Sequence, residues 1–308
     1  MRPIAAFLTL LTLIAAVGCH SNPATGRNQF ILISDSQAKA LGVEAAPGLI
    51  QEYGGQVASP ELREYVSDLG RKLASHTEEE YADVEWRFVV LDSDVINAFA
   101  LPDGTVSITR ALLERFSNEA QVAGVLGHEI GHVTARHVSE RISRELAAQG
   151  LLTGLSMATD SGLISQAAGM FAQGYGLKFD RGQETESDAL GVKYMARAGY
   201  DPKGMVQVLE VLAAAAGDAR QPEILSTHPH PETRIATVQA LIDGPYAYTR
   251  NNGEYTLRQG RFDRLAAPYL NRPAAMGPAI LAPGCLTGDC AHGGHGAPSV
   301  ALGALTGD

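Results

Sequence analysis

The stretch from Gln121 to Arg136, centred on His128-Glu-Ile-Gly-His132, constrains this chain more than any other. Its flanks are Ala, Val, Leu, Ile and Gly with polar residues at helical intervals, a pattern that predicts a buried helix. At about 100° per residue, His128 and His132 fall on one face about a turn apart, so both imidazoles can reach a single tetrahedral Zn2+. Glu129 leaves the helix beside them, where a carboxylate can take a proton from water. A helix of this kind has to be wrapped by the rest of the fold. The plainer alternative is an amphipathic helix with two surface histidines, and the remaining sequence decides between them.

A catalytic zinc usually takes three protein ligands and keeps one position open. The segment Phe179 to Gly191 offers Glu184, Glu186 and Asp188 at the start of a predicted helix that continues through Val192, Tyr194 and Met195. Glu184 and Asp188, four apart, share a face, whereas Glu186 points to the other side. Glu184 is therefore the expected third ligand, with Asp188 placed to orient a ligand from behind. If the metal helix runs on to Glu145, His137 lies about 140° round from His132 and off the ligand face, a structural or surface residue.

The elements around this pair are read from their punctuation. Ser34 and Asp35 can cap a helix to about Gly42, after a strand-like Phe30-Ile-Leu-Ile33. A second helix runs from Ser59-Pro60 to Ala74, with Leu62, Tyr65, Val66, Leu69 and Leu73 on its core face. Glu85 to Leu91 reads as a strand, and Asn97 to Thr109 as two extended runs around a Pro-Asp-Gly turn. An edge strand at Asn97, Ala98, Phe99 and Ala100 could lay an extended peptide across a metal, or could be purely structural. Arg110 to Phe116 starts a helix, and Ser117-Asn-Glu-Ala-Gln121 caps the metal helix. The Ala/Gly/Leu/Met-rich stretch 146–177 is too often interrupted by polar residues to span a membrane; it reads as packed helices or as a lid. Ser226-Thr-His-Pro-His-Pro-Glu-Thr-Arg234 leaves His228 either at the metal pocket, steadying an oxyanion or blocking a water site, or exposed in a turn.

The termini bear on compartment. Met1 to Cys19 has one positive charge, an apolar run of about a dozen residues and small residues before a cysteine, the form of an export signal. Ala16-Val-Gly-Cys19 matches a bacterial lipobox, with Cys19 the lipidated first residue of the mature chain, although an ordinary signal peptide would look similar. A net charge of −10 without a dense basic stretch argues against nucleic acid as a partner. Residues 244–270 form an extension with strand potential. The tail 271–308 is rich in Pro, Gly and Ala and reads as disordered; its Cys285, Cys290, His292 and His295 offer at most a local disulfide or a poorly supported metal site.

His128-Glu-Ile-Gly-His132, followed about fifty residues later by Arg181-Gly-Gln-Glu184-Thr-Glu-Ser-Asp188, resembles the gluzincins of the HtpX and CAAX-prenyl-protease type, peptidase family M48. Ser187 stands where that family's second motif usually has Ala, and Asp180 where Ser is common. The resemblance runs from about Asn22 to about Ala240 and includes His228 and Arg234. It implies one Zn2+ held by His128, His132 and Glu184, with Glu129 as general base and Asp188 as an auxiliary hydrogen-bonding or acid residue. With the lipobox, it points to the family's periplasmic lipoprotein branch, anchored at the outer membrane of a Gram-negative bacterium.

The expected organisation is a signal peptide (1–18), a lipidated tether (19–33) and a metallopeptidase domain (34–243) of mainly helical α+β class. Its small sheet has an edge strand before the metal helix. Unfolded or misassembled envelope proteins are the expected substrates, and outer-membrane assembly machinery a further partner. The rival function is a chaperone-like assembly factor that uses the same fold to hold peptides with little cleavage.

Overall fold

Four of the long helices begin on a short polar side chain, Ser34, Ser59, Asn118 or Asp180, that closes over the first turn. Ser34 caps α1 (Asp35–Glu52), with Gln37 completing a capping box, and Ser59 caps α2 (Pro60–Ala74). Such caps satisfy amides that the helix itself cannot, for about 1 kcal/mol each. The computed structural model describes residues 19–153, 178–216, 222–229 and 231–270. Two short strands, β1 (Cys19–Ser21) and β2 (Asn28–Phe30), precede α1; β3 (Arg87–Leu91), β4 (Ala98–Ala100) and β5 (Thr105–Thr109) follow α2. Then come α3 (Arg110–Leu113), α4 (Glu119–Thr134), α5 (His137–Thr153), α6 (Arg181–Arg197), α7 (Lys203–Ala215), α8 (Ile224–Thr227) and α9 (Pro231–Asp243). The described chain ends with α10 (Gln259–Leu265) and α11 (Ala267–Leu270). This is the expected mainly helical α+β class.

The sheet order is β3-β5-β4, with β3 parallel and β4 antiparallel to the central β5. Alternation along the strands gives both faces apolar side chains. Phe88, Val90, Ala98, Ala100, Val106 and Ile108 join the main core with α2 and α4, while Val89, Leu91, Phe99 and Leu101 face a second core with Leu41 of α1. β4 is thus an edge strand, as the Pro-Asp-Gly turn suggests, and its side chains are buried. Among the described residues no other strand pairs with its outer edge.

Helix α4 runs through the middle of the main core and is buried at nearly every position. Asn118 and Gln121 cap its start, and the buried Glu119 there takes hydrogen bonds from Tyr200 (2.9 Å) and Arg261 (3.1 Å). Through Arg261 of α10, the C-terminal extension pins the first turn of the metal helix.

Several local expectations give way to tertiary packing. The first helix continues through Pro47 to Glu52 instead of stopping near Gly42, because Ala46 finds a buried seat in the second core. The strand expected at 30–33 sits earlier, at Asn28–Phe30, and Ile31 and Ile33 are buried outside any ladder. Residues 244–265 hold no strand; they form a 3-10 turn at Ala247–Thr249 and α10, whose Phe262 joins the main core. The metal helix does not run on to Glu145: Arg136 adopts a left-handed φ of 53°, and α5 starts afresh at His137. No helix among the described residues is long and apolar enough to cross a membrane. The leader 1–18, most of the stretch 146–177 and the tail with Cys285, Cys290, His292 and His295 lie outside the described residues, as does the side chain of Cys19.

Candidate metal centre

Two glycines of α4 let α6 approach at backbone distance. A Cβ at Gly131 would meet Ser187 Oγ at 2.8 Å and Ser187 O at 2.9 Å, and one at Gly127 would meet Gly191 O at 3.2 Å. The hydroxyl of Ser187 donates to His128 O at 2.6 Å, so serine replaces the usual alanine with a bond that ties the helices together. Asp180, capping α6 with Gln183, likewise serves where serine is common. The first two turns of α6 therefore lie against the histidine face of α4, which brings Glu184 and Asp188 to His128 and His132.

The ligand atoms converge. His128 Nε2 and His132 Nε2 are 3.0 Å apart, and Glu184 reaches within 3.3 Å of His132 Nε2 and 3.7 Å of His128 Nε2. Together with His228, whose Nδ1 is 3.3 Å from His128 Nε2 and 2.9 Å from Glu184 Oε1, these atoms all lie within 4.8 Å of one another. Asp188 Oδ1 is 2.9 Å from His128 Nδ1. A carboxylate can only accept, so His128 carries its proton on Nδ1 and points the Nε2 lone pair into the cluster. Lone pairs and a carboxylate oxygen aimed at one point fit a cation. Glu129 adds a second sign of fit: both its carboxylate oxygens are buried without a hydrogen-bond partner. Beside it, a cavity of about 20 Å3 lined by Val125, Glu129, Met205, Leu209 and His228 has room for about one water.

The charges are arranged to match. Burial pushes the Glu129 carboxyl up, against the pull of His228 and His128. Burial would raise Glu184 as well, but His228 and Arg234 hold it well below the usual carboxylate range. Burial lowers His132 far enough to keep it neutral, as a ligand must be. For His228 burial also works against the proton, yet the Glu184 and Glu129 carboxylates hold its pKa above the ordinary value. Arg234 of α9 donates to Asp188 Oδ2 (2.8 Å, Nε) and Oδ1 (2.6 Å, Nη2) and lies 2.5 Å from Glu184 Oε2. Its ion pair with Glu184 lacks hydrogen-bond alignment, so Glu184 Oε2 has no hydrogen-bond partner, while Oε1 faces His228 Nδ1 at 2.9 Å.

The structure thus gathers His128, Glu129, His132, Glu184, Asp188 and His228 into one buried cluster, and α9 adds Arg234. Asp188 stands on the Nδ1 side of His128. His228 is buried at 2% exposure, which removes the exposed-turn alternative. The Asn97 side chain is committed inward: its Nδ2 donates to Tyr53 Oη (2.9 Å) and its Oδ1 accepts from Ala98 N (2.9 Å). With the side chains of Ala98, Phe99 and Ala100 buried, the strand can offer a ligand its main chain only.

His137 is not among the converging ligand atoms, as expected, but it is buried and not at the surface. The break at Arg136 turns it back to stand 2.9 Å from His132, Nδ1 to Nδ1, with its Nε2 2.9 Å from Glu186 Oε2. Burial lowers the pKa of His137 below its ordinary value. Phe179 stacks on the His132 ring at 3.8 Å between centroids. Arg27, in the segment read as a tether, ion-pairs with Glu140 (2.7 Å) and Glu186 (3.1 Å). Periodicity carries no signal for any of these contacts; a histidine just past a helix end would have been the one hint.

Comparison with known proteins agrees with this geometry. The sequence model of Peptidase family M48 matches residues 60–242. The beta-barrel assembly-enhancing protease of Escherichia coli K12 is 37% identical over 191 residues, which is 58% of this chain and 39% of that protein. The mitochondrial metalloendopeptidase OMA1 of Arabidopsis thaliana is 37% identical over 151 residues, 49% of this chain and 30% of its own length. The putative beta-barrel assembly-enhancing protease of Vibrio cholerae is 32% identical over 247 residues, 74% of this chain and 50% of its own length. The chain therefore spans half or less of each of these relatives.

Proposed function

The chain belongs to peptidase family M48, and from that premise we propose that it is a zinc-dependent endopeptidase of unfolded or misassembled envelope proteins. The observation that carries this reading is the convergence of His128, His132 and Glu184 beside the unpartnered carboxylate of Glu129. When bound, zinc would supply the positive charge that acidifies water and polarises a scissile carbonyl. Glu129 takes the proton of the attacking water and delivers it to the leaving amine, a role suited to a carboxyl whose pKa burial has raised. Asp188 keeps the His128 proton on Nδ1, and Arg234 keeps Asp188 charged. The outer edge of β4 would hold the substrate as an added strand, through main-chain groups at Ala98 and Ala100.

The deciding experiment is digestion of an unfolded protein such as reduced casein by the purified chain, with the products mapped. Cleavage is expected, with abolition by a chelator and recovery on adding back zinc. Binding of the casein without cleavage, with or without zinc, would favour the holding function instead. The relatives called beta-barrel assembly-enhancing protease support an outer-membrane setting. The lipobox at Cys19 supports a lipid anchor on its periplasmic face, with assembly machinery as a partner.

His228 closes this site at rest. Its Nδ1, 2.9 Å from Glu184 Oε1 and 3.3 Å from His128 Nε2, lies among the candidate ligand atoms, where it would compete with water or a carbonyl for the metal. His228→Ala is expected to raise the initial rate of casein cleavage several-fold. An unchanged rate together with unchanged zinc affinity would remove the gating role.

A further inference from the structure

We propose that His137 is a positioning residue of the metal centre: with Glu186 and Arg27 it fixes the proton of His132 on Nδ1 and so presents Nε2 for metal. The proposal rests on the metallopeptidase reading above, but concerns a residue outside the HExxH and Glu184 set. The two histidines of α4 are supported differently. His128 has a carboxylate, Asp188, directly on its Nδ1 at 2.9 Å. Behind His132 there is another imidazole, with Nδ1 facing Nδ1 at 2.9 Å. Two facing ring nitrogens form a hydrogen bond only if one is protonated and the other is not, so this contact alone leaves the tautomer of His132 undecided.

The next contact decides it. His137 Nε2 lies 2.9 Å from Glu186 Oε2, and a carboxylate only accepts, so the single proton of a neutral His137 sits on Nε2. Its Nδ1 is then an acceptor for His132 Nδ1 at 2.9 Å, a shorter contact than the 3.3 Å ion-pair approach of Glu184 Oε1 to His132 Nε2, so His132 donates from Nδ1 and its Nε2 lone pair is directed into the cluster. The opposite order would set a lone pair of His137 against the Glu186 carboxylate inside the protein. Glu186 is in turn held by Arg27, whose Nε and Nη2 donate to it at 3.2 and 3.1 Å while Nη1 and Nη2 donate to Glu140 at 2.9 and 2.7 Å. The loop between β1 and β2, and β2 itself, are fastened to the end of α4. Asn22 Nδ2 donates to Thr134 O at 2.9 Å, and Gln29 Nε2 to Ala135 O at 2.6 Å. The left-handed Arg136 makes the arrangement possible, since a continuous helix would carry His137 off the ligand face.

Two measurements on the full-length chain test the inference. In the wild-type protein freed of metal, nitrogen-15 NMR of the histidine rings is expected to show the His132 proton on Nδ1 and the His137 proton on Nε2; the reverse order would overturn the proposal. In the second, zinc affinity is measured by competition with a chelating indicator. His137→Leu, which leaves the His132 N–H buried without an acceptor, is expected to weaken zinc about 10- to 100-fold. His137→Asn, whose Oδ1 can stand where Nδ1 stood, is expected to recover most of that loss. Equal losses in the two variants, or no loss in either, would show that His137 only fills space. Wild-type protein that binds no zinc at all would overturn the metal reading itself, and the proposal with it.

Discussion

Glu129→Gln is expected to keep its zinc and lose its proteolysis, cleaving casein about 10^2- to 10^4-fold more slowly than wild type. Both carboxylate oxygens of Glu129 are buried and make no hydrogen bond, so the amide removes a base without breaking a structural contact. Glu129 is also distinct from the converging ligand atoms, which come from His128, His132, Glu184 and His228. Zinc content, measured by atomic absorption on the same preparation used for the digest, should therefore match wild type. A variant that retains zinc and still cleaves at the wild-type rate would mean that another group takes the proton.

The parts of this site that were legible in the sequence are those set by spacing within one helix. His128 and His132 share a face because they are four apart, and so do Glu184 and Asp188; both pairs reach the cluster. Glu186 was read as pointing away from that face, and it does, onto Arg27 and His137. What sequence spacing could not supply was anything dependent on where a helix breaks or on which distant segment covers it. Arg136 has no glycine-like signal, yet it takes a left-handed conformation at the end of α4. That single residue moves His137 from the flank to the back of His132. Likewise Asn22, Arg27 and Gln29 look like linker chemistry, but their partners lie more than a hundred residues away at Thr134, Ala135 and Glu140. The aromatic-rich extension after 244 has strand propensity; packing of Phe262 and pairing of Arg261 with Glu119 make it helical instead.

Arg234→Met is expected to destabilise the metal-free protein by about 3–5 kcal/mol, because it removes the cation from two buried carboxylates at once. Asp188 and Glu184 are both at 0% exposure, and Arg234 is 6% exposed, so water cannot replace the guanidinium. The pH dependence separates this cause from a simple packing defect. In wild type, both carboxyls have folded-state pKa values below their ordinary ones: burial opposes this, and the charges of Arg234 on Asp188, and of His228 and Arg234 on Glu184, outweigh it. The stability they contribute is complete above the unfolded-state values of 3.8 and 4.5 and is lost as the pH falls through the depressed ones. Without Arg234, burial is the larger influence and the carboxyls' pKa values rise, so acid neutralises an uncompensated charge instead of a paired one. The deficit of the variant should therefore be greatest near neutral pH and shrink toward about pH 4, and zinc, by giving Glu184 a cation again, should shrink it at neutral pH too. Urea unfolding of both proteins in chelator, at several pH values, measures this directly. A deficit under about 1 kcal/mol, or one independent of pH and zinc, would mean that Arg234 is not what keeps these carboxylates charged beside the metal ligands.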